Sequence, residues 1–294
     1  MREKVTIPAV KARKHGPKLT MVTAYDAPMA HIVDLANIDM ILVGDSVATT
    51  VLGYETTLPA TIDIMVHHSA AVARAQPQSL IVTDMPWLSY HLSPEDAIRN
   101  AGRLVREGHA EAVKLEGGRK RIPVIKAILD AEIPVMGHLG LTPQSVHAMG
   151  GYRVQGKDSE TARALLDDAI ALAEAGVFAI VLEGIPDALA ELITNEIAIP
   201  TIGIGAGVQC DGQVLVFHDV LGMTDHRLAK FVRQYAQLMD TAAAALQQYS
   251  ADVQAGTFPA ERETYHMNNE IIAQLRAERA IPAKQPATKS DSVQ

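Results

Sequence analysis

The sequence predicts an α/β fold, a single (β/α)8 barrel with a short N-terminal helix and extra C-terminal helices. Three observations predict it. Eight short apolar, β-branched runs recur along most of the 294 residues. Most of these runs are near-continuously hydrophobic, as parallel strands covered on both faces must be. Segments of helical period lie between most of them, the βα alternation of a closed parallel sheet. A doubly wound open sheet is the runner-up reading. The length suits one large barrel or two ordinary domains, and a 48% hydrophobic content supplies a sizeable core.

The elements follow in order. Thr6-Ile7-Pro8 reads as a capped short helix placed to cover the N-terminal face of the barrel. Strands are predicted at Leu19–Ala24, Met40–Val43, Leu80–Thr83 and Ala112–Leu115. Four more fall at Pro134–Gly137, Ala179–Leu182, Thr201–Ile204 and Val214–Phe217. Helices are predicted at Ala27–Leu35, Ile62–Ala75, Pro94–Glu107, Arg119–Ala131, Ser159–Ala175 and Asp187–Glu196. The third opens with Ser93 as N-cap, Pro94 at the first position and Glu95-Asp96 in the first turn. Gly108 and Gly176 mark helix ends. A long helix is expected from about Arg227 to Gln248, and another over Arg262–Arg279 beyond the break at Gly256–Pro259. The domain reading is therefore a catalytic barrel over 1–265, a helical extension over 266–280 and a polar, proline-rich, disordered tail over 281–294.

Composition narrows the function. A net charge of −8 with a pI near 5.7 disfavours nucleic acid and anionic membranes, which need basic surface. Aromatics at 4% leave little for a base-stacking platform. Cys210 is the single cysteine, so no intramolecular disulfide is possible and a reducing cytoplasm fits best. The N-terminal stretch lacks the apolar core of a secretory signal, and no apolar run is long enough to cross a membrane.

The acids carry the chemistry. Asp26, Asp45 and Asp84 follow the first three strands; Glu116, His138 and Glu183 end the next three. A barrel brings its C-terminal strand ends to one face, so acids scattered along the chain become one cluster. Such a cluster needs a cation, a positive side chain or a proton among its charges. Lys114 lies two residues before Glu116 on one strand, so both can point inward. Oxygen donors without a Cys/His set favour Mg²⁺ over zinc. A plainer reading suits Asp26, which is better placed as a helix cap than as a ligand. His138 alone reads as a hydrogen-bonded core residue, whereas Lys114 in an apolar run demands a buried anionic partner or substrate. The glycine run Gly203–Gly207 could cradle a phosphate, against a bland reading of close backbone packing. His218-Asp219 reads as a local pair and Cys210 as structural.

Taken together, the motifs resemble the ketopantoate hydroxymethyltransferase family. They are MVTAYD (21–26), VGDS (43–46), VLGYETTLPAT (51–61), VTDMPW (82–87), VKLEGG (113–118), GHLGLTPQ (137–144), VLEGIP (181–186) and GIGAG followed by DGQVLVFHD (211–219). They run in family order over about residues 5–265. The resemblance implies a barrel of the phosphoenolpyruvate/pyruvate superfamily and a homo-oligomer, commonly a decamer. It implies transfer of a hydroxymethyl unit from 5,10-methylenetetrahydrofolate to 3-methyl-2-oxobutanoate, giving 2-dehydropantoate for pantothenate synthesis, with Mg²⁺ as cofactor. By the same resemblance Asp45 and Asp84 are magnesium ligands, with Glu116 acting through water. Ser46 and Lys114 hold the oxo acid, and Glu183 is the proton acceptor. The candidate substrate-binding set is Asp45, Ser46, Asp84, Lys114 and His138. VATT (47–50) departs from the Gly-Met-type stretch usual in the family, which bears on substrate fit. A lyase of the same superfamily is the nearest rival, but the Lys-Lys-Cys-Gly-His stretch of those lyases is absent. A non-catalytic barrel binding a metal–oxo-acid complex is the rival from another class.

Overall fold

The computed structural model describes residues 2–225 and 227–279; the predicted tail over 281–294 lies outside them. The described chain divides into two compact units, one running to Leu238 and the other from Met239. In the first, eight parallel strands close a TIM barrel in sequence order, β1 pairing with β8. They are β1 Leu19–Thr23, β2 Met40–Val43, β3 Leu80–Asp84, β4 Ala112–Glu116, β5 Val135–Gly140, β6 Ala179–Glu183, β7 Thr201–Ile204 and β8 Gly212–Leu215.

The helices are α1 Ile7–Lys11, α2 Ala27–Leu35, α3 Val47–Thr50, α4 Ile62–Ala73, α5 Pro94–Arg106, α6 Ile122–Asp130, α7 Val146–Met149, α8 Ser159–Ala175, α9 Asp187–Glu196 and α10 Phe217–Leu221. Their starts follow local chemistry. Asp26 Oδ1 accepts from the Met29 N–H at 2.8 Å, so Asp26 caps α2. Ser93 Oγ accepts from the Asp96 N–H at 3.2 Å and starts α5. The α8 helix stops where Gly176 turns left-handed.

Burial sorts the strand residues into two layers. Alternate residues face the barrel axis and build an inner core of Leu19, Met21, Met40, Leu80, Val82, Ala112, Met136, Ala179 and Ile202. The intervening ones, such as Ile41, Val43, Ile81, Val113 and Ile180, pack outward beneath the helices. Val10 of α1 belongs to the inner core, so this short helix plugs the N-terminal end as the sequence suggests. Toward the C-terminal end the same inward positions turn polar, with Asp84 on β3, Lys114 and Glu116 on β4, His138 on β5 and Glu183 on β6.

Several elements differ from expectation. The last strand lies two residues earlier than its apolar run suggests, and Phe217 already begins α10. No helix separates β7 from β8; residues 205–211 connect them directly. Residues 227–237 are not helical, and the long helix α11 spans Leu238–Ala255. In the second unit the helix expected over Arg262–Arg279 is shorter: α12 covers Asn269–Arg279, and a 3₁₀ turn at Glu261–Glu263 precedes it. Among the described residues no helix is long and apolar enough to cross a membrane.

Candidate active site

Strand register assembles the site. Asp84 lies opposite Lys114 across β3–β4, Glu116 opposite His138 across β4–β5, and Glu183 opposite Gly140 across β5–β6. Paired residues on neighbouring strands project to the same side. These side chains therefore share the axial face at the C-terminal mouth. Gly140 permits the last pairing, because a Cβ there would stand 2.2 Å from the Glu183 carbonyl oxygen and its φ is +96°. Asp45 and Ser46 come from the turn after β2, where Ser46 precedes α3.

The result is a cavity of about 120 Å³. Asp45, Ser46, Asp84, Lys114, Glu116, His138 and Glu183 line one part of it. Leu42, Val181, Ile204, Val214, Leu215 and Val216 form an apolar part. No residue of the VATT stretch lines the cavity; Val47 and Ala48 are buried in the outer core. A larger groove of about 700 Å³ lies elsewhere, around Lys4, Arg74, His109 and Glu111. It is shallow and open, and its Lys4 and Glu111 pair with each other at 2.6 Å, so it lacks the buried convergent acids of the mouth.

Charge dominates this cavity. Asp45, Asp84, Lys114, Glu116 and His138 are each no more than 5% exposed. Lys114 Nζ sits 2.8 Å from Asp84 Oδ1. Burial would lower the Lys114 pKa, but Asp84, Glu116 and Asp45 together hold it above the usual lysine range. Burial, then the charges of Asp84 and Glu116, push the Asp45 carboxyl well above the usual carboxylate range. Asp84 is also raised by burial, against the opposing pull of Lys114. His138 bridges two acids, with Nδ1 3.3 Å from Glu116 Oε1 and Nε2 3.2 Å from Glu183 Oε2. Lys114 Nζ is 3.4 Å from the same Nδ1. Burial and Lys114 oppose protonation of the ring, yet the two carboxylates outweigh them and lift its pKa to about 9. The two carboxylates thus favour the protonated ring, while Lys114 beside Nδ1 opposes it.

Gln144 organises the acids from the loop after β5. Its Nε2 donates to Asp45 Oδ2 at 2.8 Å and to the Met85 carbonyl at 3.0 Å, and its backbone N–H donates to Glu116 Oε2 at 3.0 Å. Its side-chain Oε1 accepts from the Tyr90 hydroxyl at 2.6 Å. The Asp45 N–H donates to Asp84 Oδ2 at 3.0 Å, and the hydroxyls of Tyr25 and Ser46 bond each other at 2.8 Å. Gln144, Tyr25 and Tyr90 carry no predicted role from sequence; only their places in MVTAYD, in GHLGLTPQ and just beyond VTDMPW mark them.

Every residue of the predicted substrate-binding, metal and catalytic sets lines this one cavity. Asp26 stands apart as a helix cap. Among the described residues no three His, Cys, Asp or Glu side chains form a ready metal-ligand group. The glycine run after β7 lacks a following helix whose N-terminus could hold a phosphate, so close packing is the reading that survives. Cys210 is buried, and burial pushes its thiol pKa up, away from nucleophilic reactivity.

The sequence model of the family described as Ketopantoate hydroxymethyltransferase matches residues 4–261. A 3-methyl-2-oxobutanoate hydroxymethyltransferase of Syntrophomonas wolfei is 55% identical over 273 residues, 92% of this chain and 99% of that one. A protein of the same description from Moorella thermoacetica is 54% identical, covering 90% and 98%. Among solved structures, phosphonopyruvate hydrolase in complex with oxalate and Mg²⁺ has a TM-score of 0.56 at 12% identity, over 93% of this chain and 96% of that one. A 2,3-dimethylmalate lyase has a TM-score of 0.53 at 15% identity, over 93% and 95%. At such identities the likeness concerns the fold.

Proposed function

The chain belongs to the ketopantoate hydroxymethyltransferase family, and from that premise we propose how the barrel mouth carries out the transfer. The substrate is 3-methyl-2-oxobutanoate. With water, 5,10-methylenetetrahydrofolate supplies the hydroxymethyl unit, and 2-dehydropantoate and tetrahydrofolate leave. The observation that carries this reading is the pairing of strand ends that sets Lys114 and the acids against an apolar wall. A branched oxo acid has the same two-sided character, an anionic head and an isopropyl tail. Ligand pockets commonly enclose roughly 300–1,000 Å³, so about 120 Å³ suits a small acid and leaves the folate at the mouth.

The donor chemistry fits a hard divalent cation. The acids offer oxygen donors and crowd one another, and the Asp45 pKa is raised first by burial and then by the negative charges of Asp84 and Glu116. Magnesium keeps much of its water and needs only one or two carboxylates from the protein. Asp45 and Asp84 would hold it directly, and Glu116 would act through water. When bound, the ion supplies Lewis-acid polarisation of the 2-oxo acid.

The protein's own groups do the rest. Lys114 and Ser46 orient the acid, and Lys114 stabilises negative charge that grows on the substrate oxygen as C3 is deprotonated. Glu183 takes the C3 proton, a contribution of roughly 10²–10⁴ in rate. His138 holds Glu183 from one side at 3.2 Å, fixing which carboxylate oxygen faces the substrate. The resulting C3 nucleophile attacks the one-carbon unit. Within this reading the molecule works as a homo-oligomer, as a decamer by family resemblance. The direct test incubates the protein with 3-methyl-2-oxobutanoate, methylenetetrahydrofolate and Mg²⁺. Formation of 2-dehydropantoate is expected; its absence from folded, magnesium-loaded protein would overturn the reading.

A further inference from the structure

The loop VLGYETTLPAT (51–61) contributes one residue to the cavity wall, Thr57. Thr57 is 5% exposed, and its hydroxyl oxygen is buried without a hydrogen-bond partner. Native proteins pair the large majority of buried polar side-chain atoms, because an unpaired one has given up water for nothing. A buried, unpartnered hydroxyl on a residue that lines a cavity is a group to which a bound ligand can supply the partner. Two other cavity atoms lack a hydrogen-bond partner, Asp84 Oδ1 and His138 Nε2, but each stands in an ion pair, with Lys114 and with Glu183, and Thr57 has no such pair. Lys114 meets Asp84, Ser46 meets Tyr25, and Asp45 meets Gln144. Thr57 thus offers the cavity a neutral hydroxyl already stripped of competing contacts.

We propose that Thr57 is a further substrate-binding residue, its hydroxyl donating a hydrogen bond to an oxygen of the bound 2-oxo acid. This rests on the oxo-acid reading of the same cavity. A neutral donor suits a place where another ammonium would repel Lys114 and another carboxylate would repel the substrate. The cost of the unpaired hydroxyl falls on the ligand-free protein and is relieved on binding, so the residue adds affinity and subtracts stability.

That opposition of signs is the test. The full chain, its Thr57→Val and Thr57→Ser variants are titrated calorimetrically with 3-methyl-2-oxobutanoate in Mg²⁺, and each is melted without ligand. Valine keeps the shape and removes the orphaned hydroxyl. It is expected to bind the oxo acid at least about tenfold more weakly, the lower end of the loss for a hydrogen bond to a charged group. Its ligand-free melting temperature is expected to equal or exceed that of the wild type, and serine to restore affinity to within a few fold. Wild-type affinity in Thr57→Val overturns the proposal. A fall in affinity that tracks a fall in melting temperature and is not rescued by serine also overturns it, since that marks a structural residue. Should the valine variant not fold, Thr57→Ala is read by the same criteria. A wild type that binds no oxo acid sinks the underlying reading, an outcome distinct from a wild type that binds and a valine variant that matches it.

Discussion

Glu183 and Gln144 mark the range of roles that single residues play at the mouth. Glu183 borders the cavity with its side chain 16% exposed, held by His138 at 3.2 Å. Glu183→Gln preserves that shape and an acceptor oxygen but cannot take a proton. Binding of the oxo acid should persist, while deuterium exchange at its C3 at saturating substrate falls by roughly 10²–10⁴. Near-normal exchange on folded protein would remove Glu183 from the chemistry. The acids of the site were legible as a group from their places at successive strand ends, and Lys114 because its charge interrupts an apolar run. Gln144 was not legible in the same way. A neutral amide after a proline gives no such signal, and only the folded chain brings it to Asp45 and Glu116, residues 99 and 28 positions away. Thr57 was hidden for a similar reason, since a threonine in a loop is ordinary until its hydroxyl proves buried and unpaired.

Most elements were legible from periodicity, and the misplaced strand ends have a common origin in the hydrophobic signal. β3, β4 and β6 each run one residue past the predicted end, on to Asp84, Glu116 and Glu183. A polar side chain ends the hydrophobic signal although the backbone pairing continues. β8 is the reverse case. Its true start, Gly212-Gln213, has weak strand propensity, and the apolar Val216-Phe217 drew the prediction forward. Gly212 is required by packing, because a Cβ there would meet the Leu19 carbonyl oxygen at 2.6 Å. Next to it, Asp211 joins three elements. It accepts from Lys14 Nζ, from the His15 N–H and from the Thr201 N–H, each at 2.9 Å. Burial alone would raise its pKa, but these donors outweigh burial and hold it below the usual aspartate value. A carboxylate with a depressed folded pKa adds stability above its unfolded pKa, roughly 3.9, and that contribution disappears as pH falls through the folded value. Asp211→Asn should therefore cost about 1–3 kcal/mol near neutral pH. The gap from wild type should shrink in acid below about pH 4. Urea melts across that range would decide it; a gap independent of pH would show that the carboxylate charge contributes nothing.

At the scale of the whole molecule, function and stability are coupled through charge. The mouth buries Asp45, Asp84 and Glu116 close together, a repulsion that Lys114 and His138 only partly relieve. A divalent cation that binds only the folded protein should stabilise it by about 2.7 kcal/mol at a hundred times its Kd. That corresponds to a rise in melting temperature of roughly 5–10 °C for a barrel of this size. Scanning calorimetry with Mg²⁺, then with EDTA, should record the rise and its reversal; a melting point indifferent to both would count against magnesium at the mouth. The seam between the first and last strands has a separate consequence, for biosynthesis. Because Leu19–Val22 pairs with Gly212–Leu215, the sheet cannot close until residue 215 has left the ribosome. Any sheet formed before that point has two unpaired edges, which expose it to aggregation. Joining ends so distant in sequence makes closure a late step of high contact order. A chain cut short before Gly212 would keep those edges for good, so its solubility should depend on whatever covers them.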